Sequence, residues 1–372
     1  MKMEKKLIIF IPSIESGGVE KNLFIICNYL IKKFKIIYLI TSDYKYKNKF
    51  DKKIKLIVPR SKFWINKKRI YKYFISLLLL LKVISKEKNL LIFSFQANLY
   101  AIVIAKIFFK KIIIRANSSP SGWVNNYFKL LIYKIFYNLS DEIIVNSKEL
   151  QNEFFEYFRI KTKTIYNPLN ISTIQKSIKS KFNFSFFKKN YLNLITIGRF
   201  VSQKNHLLIL KAVKILKDKL PIRLLIIGQG VLLHEYKKFI SKNNLKNEIS
   251  IINYQKNPYK FINKANILIL SSLYEGLPNV LLEAQYLKKI IISSNCPTGT
   301  KEILLNGKAG FLFKNNDLND LCKKIIYVSK NKPIANFKVK YAYKKINRFN
   351  YSKNLLAYYK TIYTVINGPK FN

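Results

Sequence analysis

The sequence is poor in acidic residues, with 19 Asp and Glu against 68 Lys and Arg, so its formal net charge is +49. Dense positive charge attracts polyanions such as nucleic acids and anionic membranes. Here the excess is almost all lysine, which is also typical of AT-rich codon use, and it is spread over both halves of the chain. No nucleic-acid-binding motif accompanies it. We therefore predict no specific nucleic-acid partner, and a general attraction to anionic membranes and phosphates.

Cysteine and histidine are also scarce. The three cysteines, Cys27, Cys296 and Cys322, have no paired spacing, which is typical of a protein from a reducing compartment. His206 and His234 are the only histidines of the sequence, which argues against a histidine-rich metal site.

The sequence lacks a hydrophobic run of membrane-spanning length. Its longest apolar run, residues 73–81, is about half of what a transmembrane helix needs. The start, MKMEKKLIIFIPSIES, has no small-residue cleavage site and is better interpreted as a first strand than as a signal peptide. We predict a cytoplasmic protein that does not span the membrane.

What the chain does contain is 49% hydrophobic residues in short β-rich runs that alternate with helical patterns. Continuous Ile and Leu runs are typical of parallel strands buried on both faces. In the first half we predict strands at residues 7–14, 35–41, 90–95, 111–115 and 142–146. The predicted helices are residues 19–34, 70–86, 98–108, 123–139 and 147–158.

The same alternation restarts after Asn167-Pro168. A polar, Lys- and Ser-rich segment, 171–190, precedes predicted strands at 192–197, 222–227, 248–252, 266–270 and 289–293. Two βαβ series predict two doubly wound α/β domains, residues 1–168 and 169–350, with 351–372 as a helix that packs back on the N-terminal domain. Because ligands bind beyond the carboxyl ends of such strands, we expect the site in the cleft between the domains.

Pairs of glycines follow two of the predicted strands, although the chain has only 11 glycines. Gly17 and Gly18 lie between the first strand and its helix, where backbone amides can approach a phosphate. Gly228 and Gly230 of IIGQG are a second such turn. In each case plain turn chemistry is the alternative. The dinucleotide fingerprint GxGxxG is absent, which argues against a nicotinamide enzyme.

Charged residues follow the first and fourth strands of the second series. Arg199 and Lys204 of TIGRFVSQKNH lie where both could reach a diphosphate. In SSLYEGLPNVLLEA a strand leads into a Glu275-Gly276 turn, then Pro278 at a favoured first helical position, then Glu283 within the helix. A single glutamate on a helix usually lies on a solvated face, but this whole combination is far more specific.

These segments, together with VNSKEL, IYNP and SSNCPTGTKEIL, resemble glycosyltransferase family 4 over most of the chain. The family comprises retaining nucleotide-sugar transferases of GT-B fold, in which two Rossmann-like domains face each other across a cleft. The chain is most similar to bacterial transferases that add N-acetylhexosamine to polyprenyl-diphosphate-linked oligosaccharides. The resemblance implies transfer of a hexose or N-acetylhexosamine from a UDP-sugar to a lipid-linked or cell-surface glycan.

The resemblance also implies residue roles. Glu283 would hold the ribose hydroxyls, Glu275 would contact the donor sugar, and Arg199 and Lys204 would neutralise the leaving diphosphate. The catalytic residues would be Glu275, Arg199 and Lys204. The nucleotide-sugar site would further include Gly17, Gly18, Gly228, Gly230, Gly276, Leu277, Asn279, Val280 and Glu283. No Asp-x-Asp pair occurs, so we expect no required metal and no cofactor.

The acceptor side is less determined. Many family members have a histidine in the first-domain cleft loop, whereas SFQANLY offers Gln96 and Asn98. At another strand end, Arg115 and Asn117 of RANSSPSGW would face the cleft and contact acceptor phosphate, or they belong to a polar loop. A non-lipid acceptor, and a non-catalytic polyanion- or nucleotide-binding module of the same fold, are the alternatives.

Two aromatic and basic segments surround the tryptophans, RSKFWINKKRIYKYF and GWVNNYFKLLIYKIFYNL. Such surface helices could lie on an anionic leaflet, which predicts peripheral attachment to the inner face of the cytoplasmic membrane. A composition-biased surface over an ordinary core is the alternative.

Overall fold

The computed structural model describes residues 3–15, 17–64, 67–179 and 182–368. The chain forms two compact units. Unit 1 comprises Met1–Pro168 with Ser352–Asn372, and unit 2 comprises Leu169–Tyr351. Each unit is a parallel sheet covered by helices, which confirms the doubly wound α/β architecture.

Unit 1 has a seven-stranded sheet in which all neighbouring strands are parallel, in the order β3-β2-β1-β4-β5-β6-β7. Its central strands are mostly apolar, which allows helices to cover both faces. The strands are β1 (Lys6–Phe10), β2 (Ile37–Ile40), β3 (Lys55–Ile57), β4 (Leu90–Ser94), β5 (Lys111–Ala116), β6 (Glu142–Val145) and β7 (Lys163–Thr164).

Five helices connect these strands. They are α1 (Gly18–Leu30), α2 (Arg69–Lys86), α3 (Asn98–Ile107), α4 (Tyr127–Asn138) and α5 (Lys148–Phe158). Helix α4 begins four residues later than predicted, because a 3-10 turn at Pro120–Gly122 precedes it and the Asn126 side chain accepts a bond from the Lys129 amide. Ser147 caps α5 in the same way.

Unit 2 has a six-stranded parallel sheet in the order β10-β9-β8-β11-β12-β13. The strands are β8 (Leu192–Ile197), β9 (Ile222–Ile227), β10 (Ile249–Ile252), β11 (Ile267–Leu270), β12 (Ile290–Ser294) and β13 (Phe311–Phe313). Strands β8, β9, β11 and β12 are neighbours, so the segments that follow them meet at one edge of the sheet.

The helices of unit 2 begin before its first strand. They are α6 (Ile171–Lys179), α7 (His206–Leu216), α8 (Leu233–Lys242), α9 (Tyr259–Lys264), α10 (Asn279–Tyr286), α11 (Thr300–Ile303), α12 (Leu318–Lys330) and α13 (Lys332–Lys344). Helix α6 lies in the segment that we predicted only as polar and without an element. It forms because it is amphipathic and buries Ile174, and Phe182 and Phe184 after it pack on Phe261 of α9.

The last helix, α14 (Tyr351–Asn367), belongs almost entirely to unit 1. The Arg115 guanidinium donates to the Tyr358 hydroxyl at 2.9 Å, and Lys111 Nζ donates to the Val365 carbonyl at 2.8 Å. These bonds attach α14 to β5. Residues 369–372 of the predicted C-terminal segment lie outside the described residues.

Within the described ranges, none of the helices is both long and apolar enough to cross a membrane.

Candidate active site

The segments after β8 and β11 bring a lysine and a glutamate together. Lys204 Nζ forms an ion pair with Glu275 Oε1, and the Ser272 hydroxyl donates to the same carboxylate oxygen at 2.6 Å. The side chains are only 16% and 8% exposed. A pair this buried is stable only when hydrogen bonds and close geometry offset the loss of water. The charges are therefore held in fixed positions.

Backbone and side-chain bonds join the two loops that carry this pair. The Ser271 hydroxyl donates to the carbonyls of Lys204 and Asn205 at 3.0 and 2.9 Å. The Leu273 amide donates to the Gln203 carbonyl at 2.8 Å, and Gln203 Nε2 donates to the Tyr274 carbonyl at 2.9 Å. The loops after β8 and β11 therefore form one connected structure.

A third loop, after β12, supports the Glu275-Gly276 turn. Thr298 Oγ1 donates to the Glu275 carbonyl at 2.5 Å, and the Glu275 amide donates to the Pro297 carbonyl at 3.2 Å. Gly299 has φ +72, and a Cβ there would lie 1.7 Å from the Gly276 carbonyl oxygen. Only glycine fits, because both the backbone angle and the space require it.

Helix α10 begins at Asn279, directly after Pro278, so Pro278 is the residue before the helix and not its first residue. Glu283 lies in the middle of α10 and is buried, which excludes the solvated face that a single helical glutamate usually occupies. Leu277 is buried, and Asn279 and Val280 are half-buried at the start of the helix.

Gly228 and Gly230 pack the loop after β9 on the loop after β8. A Cβ at Gly228 would lie 1.9 Å from the Gly198 carbonyl oxygen, and one at Gly230 would lie 2.5 Å from that of Phe200. The Gly198 and Phe200 amides donate to the carbonyls of Ile227 and Gln229. These glycines have a structural role, and contact with a nucleotide stays a prediction.

Arg199 lies between those two bonded amides and is half-buried. Its backbone is therefore fixed on both sides at the end of β8. This is the same sheet edge at which Lys204 and Glu275 meet.

His206, the first residue of α7, is part of the core and not of the exposed edge. Its ring packs edge-on against Phe200 and Tyr236, with centroids 5.7 and 6.0 Å apart. Burial, and then the charge of Lys204, lower the pKa of His206 to about 3. The imidazole is therefore neutral at pH 7 and adds no charge to the site.

In unit 1, Gly17 precedes α1 and Gly18 begins it. A Cβ at Gly17 would lie 2.7 Å from Oε2 of Glu20, whose other oxygen accepts a bond from the Glu15 amide at 3.4 Å. Because Gly17 has no side chain, the Glu20 carboxylate can lie against the N-terminus of α1. Glu20 is a residue that the sequence analysis missed, and its signal is an acidic residue in a first helical turn.

Among the four residues that we predicted for the acceptor side, Arg115 is buried. Its nitrogens bond to Tyr358, to Asn167 Oδ1 at 2.7 Å and to Asn117 Oδ1. These bonds join β5, the end of unit 1's first segment and α14. We therefore correct its assignment from acceptor contact to structural residue, because its side chain has no exposed surface with which to reach a phosphate.

The other three residues lie at the ends of β4 and β5. Asn98 Oδ1 accepts a hydrogen bond from the Ser94 hydroxyl at 2.8 Å. The side-chain amides of Asn98 and Asn117 both donate to the Arg115 carbonyl. Gln96 Oε1 is buried and has no hydrogen-bond partner among the described residues. Contact of Gln96, Asn98 and Asn117 with an acceptor stays a prediction.

The described part of the chain contains no group of three or more His, Cys, Asp or Glu that could hold a metal ion. Its three cysteines are free and buried. That no metal is required stays an expectation that only an assay tests.

Comparison with known proteins finds a family to which unit 2 is similar. Residues 177–345 match the family model described as glycosyl transferases group 1. An uncharacterized glycosyltransferase of Methanocaldococcus jannaschii is 33% identical over 257 residues, which are 64% of this chain and 61% of that protein. These findings support a transferase enzyme whose unit 2 is similar to group 1 glycosyltransferases.

A second relative is similar over more of this chain. It is an N-acetylgalactosamine-N,N'-diacetylbacillosaminyl-diphospho-undecaprenol 4-alpha-N-acetylgalactosaminyltransferase of Campylobacter jejuni, 26% identical over 85% of this chain and 88% of its own.

Solved structures confirm the GT-B fold. Anabaena HepE in complex with UDP and glucose has a TM-score of 0.77 at 14% identity, covering 97% of this chain and 100% of its own. The sucrose-phosphate synthase of Thermosynechococcus elongatus has a TM-score of 0.79 at 14% identity, covering 99% and 100%. At such identities the likeness shows the fold alone.

Proposed function

We propose that this chain is a retaining glycosyltransferase that moves a hexose or N-acetylhexosamine from a UDP-sugar to a lipid-linked or cell-surface glycan. The observation that carries the proposal is the Lys204–Glu275 ion pair at the edge of β8 and β11. A cation held there, with Arg199 at the end of β8, suits a diphosphate leaving group.

The two cations would act on the charge that develops as the glycosidic bond breaks. When the bond from the anomeric carbon to the diphosphate oxygen breaks, its electron pair stays on the diphosphate. Preorganised positive groups stabilise that charge without having to reorient during the reaction. Arg199 supplies a planar fork and Lys204 a point charge.

Glu275 would position Lys204 and contact the donor sugar. In the free enzyme its carboxylate holds the ammonium through one oxygen, which also accepts from Ser272. Glu283, buried in α10, would accept hydrogen bonds from the ribose hydroxyls. Between these two carboxylates, the donor would contact the backbone of Gly276, Leu277, Asn279 and Val280.

The acceptor hydroxyl would attack the anomeric carbon from the face that the diphosphate leaves, which retains the configuration. Its proton would pass to the departing phosphate oxygen, so the products are the glycoside and UDP, and no separate side-chain base is needed. Charge neutralisation by Arg199 and Lys204 makes metal-independent transfer the expected behaviour.

The donor and acceptor are supported by relatives. Anabaena HepE was crystallised with UDP and with UDP-glucose, which favours UDP. The Campylobacter relative's name includes diphospho-undecaprenol, which favours a lipid-linked acceptor and work at the cytoplasmic face of the membrane. A poly(ribitol-phosphate) alpha-N-acetylglucosaminyltransferase of Staphylococcus aureus, 26% identical over 37% of this chain and 28% of its own, supports the alternative of a polymer acceptor.

The test is calorimetric titration of UDP, GDP and ADP into wild type and Arg199→Ala without divalent metal. Moderate salt would screen the charge of +49. We expect selective UDP binding that weakens roughly tenfold or more in the variant, as the loss of a charge-assisted bond predicts. Arg199→Lys is the matched variant, because it keeps the charge and loses the fork. Equal and salt-sensitive binding of all three nucleotides would contradict the proposal.

A further inference from the structure

Three consecutive helices of unit 1, α2, α3 and α4, contain no acidic residue. Seven basic residues are distributed over them: Arg69, Lys72, Lys82, Lys86, Lys106, Lys129 and Lys134. Two of them are paired, Lys72 with Asp43 and Lys106 with Asp141, and α13 of unit 2 lacks acidic residues as well. The charge therefore favours contact with a negative surface, and the exposed apolar side chains indicate which face makes it.

Helix α2 exposes an apolar stripe along its outer side. Ile70, Phe74 and Leu78 recur at a spacing of four residues, which places them above one another, and all three are exposed. Lys67 lies just before the helix and Lys82 one turn beyond the stripe, so cations flank it at both ends. Lys67 Nζ lies 3.9 Å from the centroid of the exposed Phe63 ring.

Helix α4 is apolar around most of its circumference, yet only Tyr137 is buried. Its sequence, YFKLLIYKIFYN, contains two lysines and one asparagine among aromatic and aliphatic residues. Phe128 is 71% exposed, and Leu131 and Ile135 are exposed as well. A helix that is apolar on nearly all sides is normally covered by protein or lies in a membrane.

Helix α3 lies between the other two and contacts both. Its Tyr100 is exposed. Burial raises the pKa of Tyr73 on α2 and of Tyr133 on α4, and the proximity of Tyr100 raises both further. The three helices therefore present one continuous surface. We call it the α2–α4 face and define it by Ile70, Phe74, Leu78, Tyr100, Phe128 and Ile135.

We propose that the α2–α4 face lies on an anionic membrane. Apolar side chains on its helices would enter the interface, while lysine stems would extend along them and place their ammonium groups at the lipid phosphates. The charge argues for lipid and against a second copy of this chain, because two such faces would bring cations against cations. This surface includes much of GWVNNYFKLLIYKIFYNL and RSKFWINKKRIYKYF; residues 65 and 66 of the latter lie outside the described residues.

The orientation of α3 and α4 relates the α2–α4 face to the carboxyl ends of β4 and β5. Helices α3 and α4 follow the carboxyl ends of β4 and β5, and the sheet edge at those ends carries Gln96, Asn98 and Asn117. The apolar residues near the helix starts, Tyr100 and Phe128, therefore lie toward the ligand-binding edge of the sheet. A lipid-linked acceptor would enter from the membrane at that edge. Only this step rests on the proposed function, since docking itself does not.

The first test is sedimentation with vesicles of phosphatidylcholine alone or mixed with phosphatidylglycerol. Wild type is expected to bind the mixed vesicles, to bind the neutral ones far more weakly, and to be released by high salt. Phe74→Ser/Phe128→Ser should bind the mixed vesicles at least about tenfold more weakly, because two exposed rings no longer enter the interface.

Val231→Ser/Phe337→Ser is the matched control. These side chains of unit 2 are 86% and 69% exposed, against 60% and 71% for Phe74 and Phe128. The control should bind vesicles like wild type. An equal loss in both double variants would overturn the assignment to the α2–α4 face.

The second test changes charge. Lys67→Gln/Lys82→Gln should weaken binding to mixed vesicles roughly thirtyfold, since each lysine near an anionic surface adds about 1 kcal/mol. Lys211→Gln/Lys237→Gln, two exposed lysines of unit 2, should leave binding unchanged. Equal binding of wild type to neutral and anionic vesicles would overturn the electrostatic part of the proposal.

Two parallel measurements separate the remaining outcomes. Sedimentation velocity without lipid tests self-association: a dimer that Phe74→Ser/Phe128→Ser abolishes would assign the face to a second copy and overturn membrane docking. UDP affinity of the same variant should equal that of wild type. If wild type binds UDP but no vesicles, the proposed function stands and membrane docking is contradicted. If wild type binds vesicles but no UDP, membrane docking is supported and the proposed function is not.

Discussion

The two units share one architecture and use their strand ends differently. At the edge of the unit 2 sheet, Lys204 and Glu275 keep opposite charges in a nearly buried pair. At the corresponding edge of unit 1, Arg115 is buried and committed to Asn117, Asn167 and Tyr358. The same doubly wound sheet thus carries an ion pair between two loops in one unit and uses a buried guanidinium to attach the C-terminal helix in the other. Position at a strand end alone does not make a residue functional.

The largest effect is expected from Lys204→Met. The variant removes a cation from the candidate site and leaves the buried Glu275 carboxylate without its partner. Transfer should fall roughly 10²–10³-fold, the usual loss for one electrostatic contact to a transition state. Single-turnover transfer from a UDP-sugar measures it.

Lys211→Met, on the exposed side of α7, is the control and should keep full activity. Normal turnover of Lys204→Met would contradict the difference between the units. Lys204 would then have only a structural role, like Arg115 in unit 1.

Gly299→Ala tests whether the unit 2 edge depends on its supporting loop. The new Cβ would lie 1.7 Å from the Gly276 carbonyl at φ +72, so the loop after β12 must move away from Glu275. We expect unfolding free energy to fall by roughly 3 kcal/mol, as for other severe backbone clashes, together with loss of UDP binding. Denaturant titration and calorimetry measure the two quantities.

Gly307→Ala sharpens this result, since Gly307 has φ +89 but nothing within 4 Å of the added Cβ. It should cost only about 1–2 kcal/mol of backbone strain and leave nucleotide binding unchanged. Similar losses of stability and of UDP binding in both variants would show that the close contact between Gly299 and the Gly276 carbonyl is unimportant.

Arg115→Ala addresses the other side of the comparison. It removes three buried hydrogen-bonded groups that join β5 to α14, so unit 1 should lose about 2–3 kcal/mol of stability while UDP affinity stays that of wild type. Arg199→Ala should lose UDP affinity and keep the stability of wild type. Thermal unfolding and calorimetry on both variants would separate the roles, and a nucleotide-binding defect in Arg115→Ala would remove the distinction between the units.

The smallest effect concerns His206 and pH. Burial lowers its folded-state pKa to about 3 from the ordinary 6.5, so the unfolded chain binds one more proton than the folded one between these values. Stability from this group is therefore fully present above pH 6.5 and is lost as pH falls toward 3. Between pH 7 and pH 5 the loss should be about 2 kcal/mol.

His206→Phe, which keeps the ring contacts with Phe200 and Tyr236, should remove this loss, whereas His234→Gln at an exposed position should not. Urea titrations at both pH values measure the difference. An unchanged pH dependence in His206→Phe would show that the imidazole is not buried as a neutral group.

Most of the fold could be predicted because long apolar runs are visible in the sequence. Strands β8 and β9 coincide with their predicted bounds, and the helices after β3 and β4 begin within a residue of theirs. Strands β3, β7 and β13 were not predicted, since segments of two or three residues are too short to show a period. Helix α6 was not predicted because its polar composition conceals one buried isoleucine.

The site could be predicted only in part. Arg199, Lys204, Glu275 and Glu283 could be proposed from their places after strands and within one helix, and their roles stay predictions. The support from Thr298 and Gly299 could not be inferred, because it depends on how the loop after β12 packs beneath the turn. Arg115 was assigned wrongly for a similar reason: its partners Asn167 and Tyr358 lie 52 and 243 residues away.

The sequence by itself determined that this protein is two parallel α/β units with charged residues after selected strands, because apolar periodicity and strand-end motifs are local. Tertiary structure alone decided which of those charges meet. Lys204 reaches Glu275 across 71 residues because β8 and β11 are neighbours in the sheet, and Arg115 is buried because α14 returns to β5. Such partners depend on strand order and chain return, which no local pattern encodes.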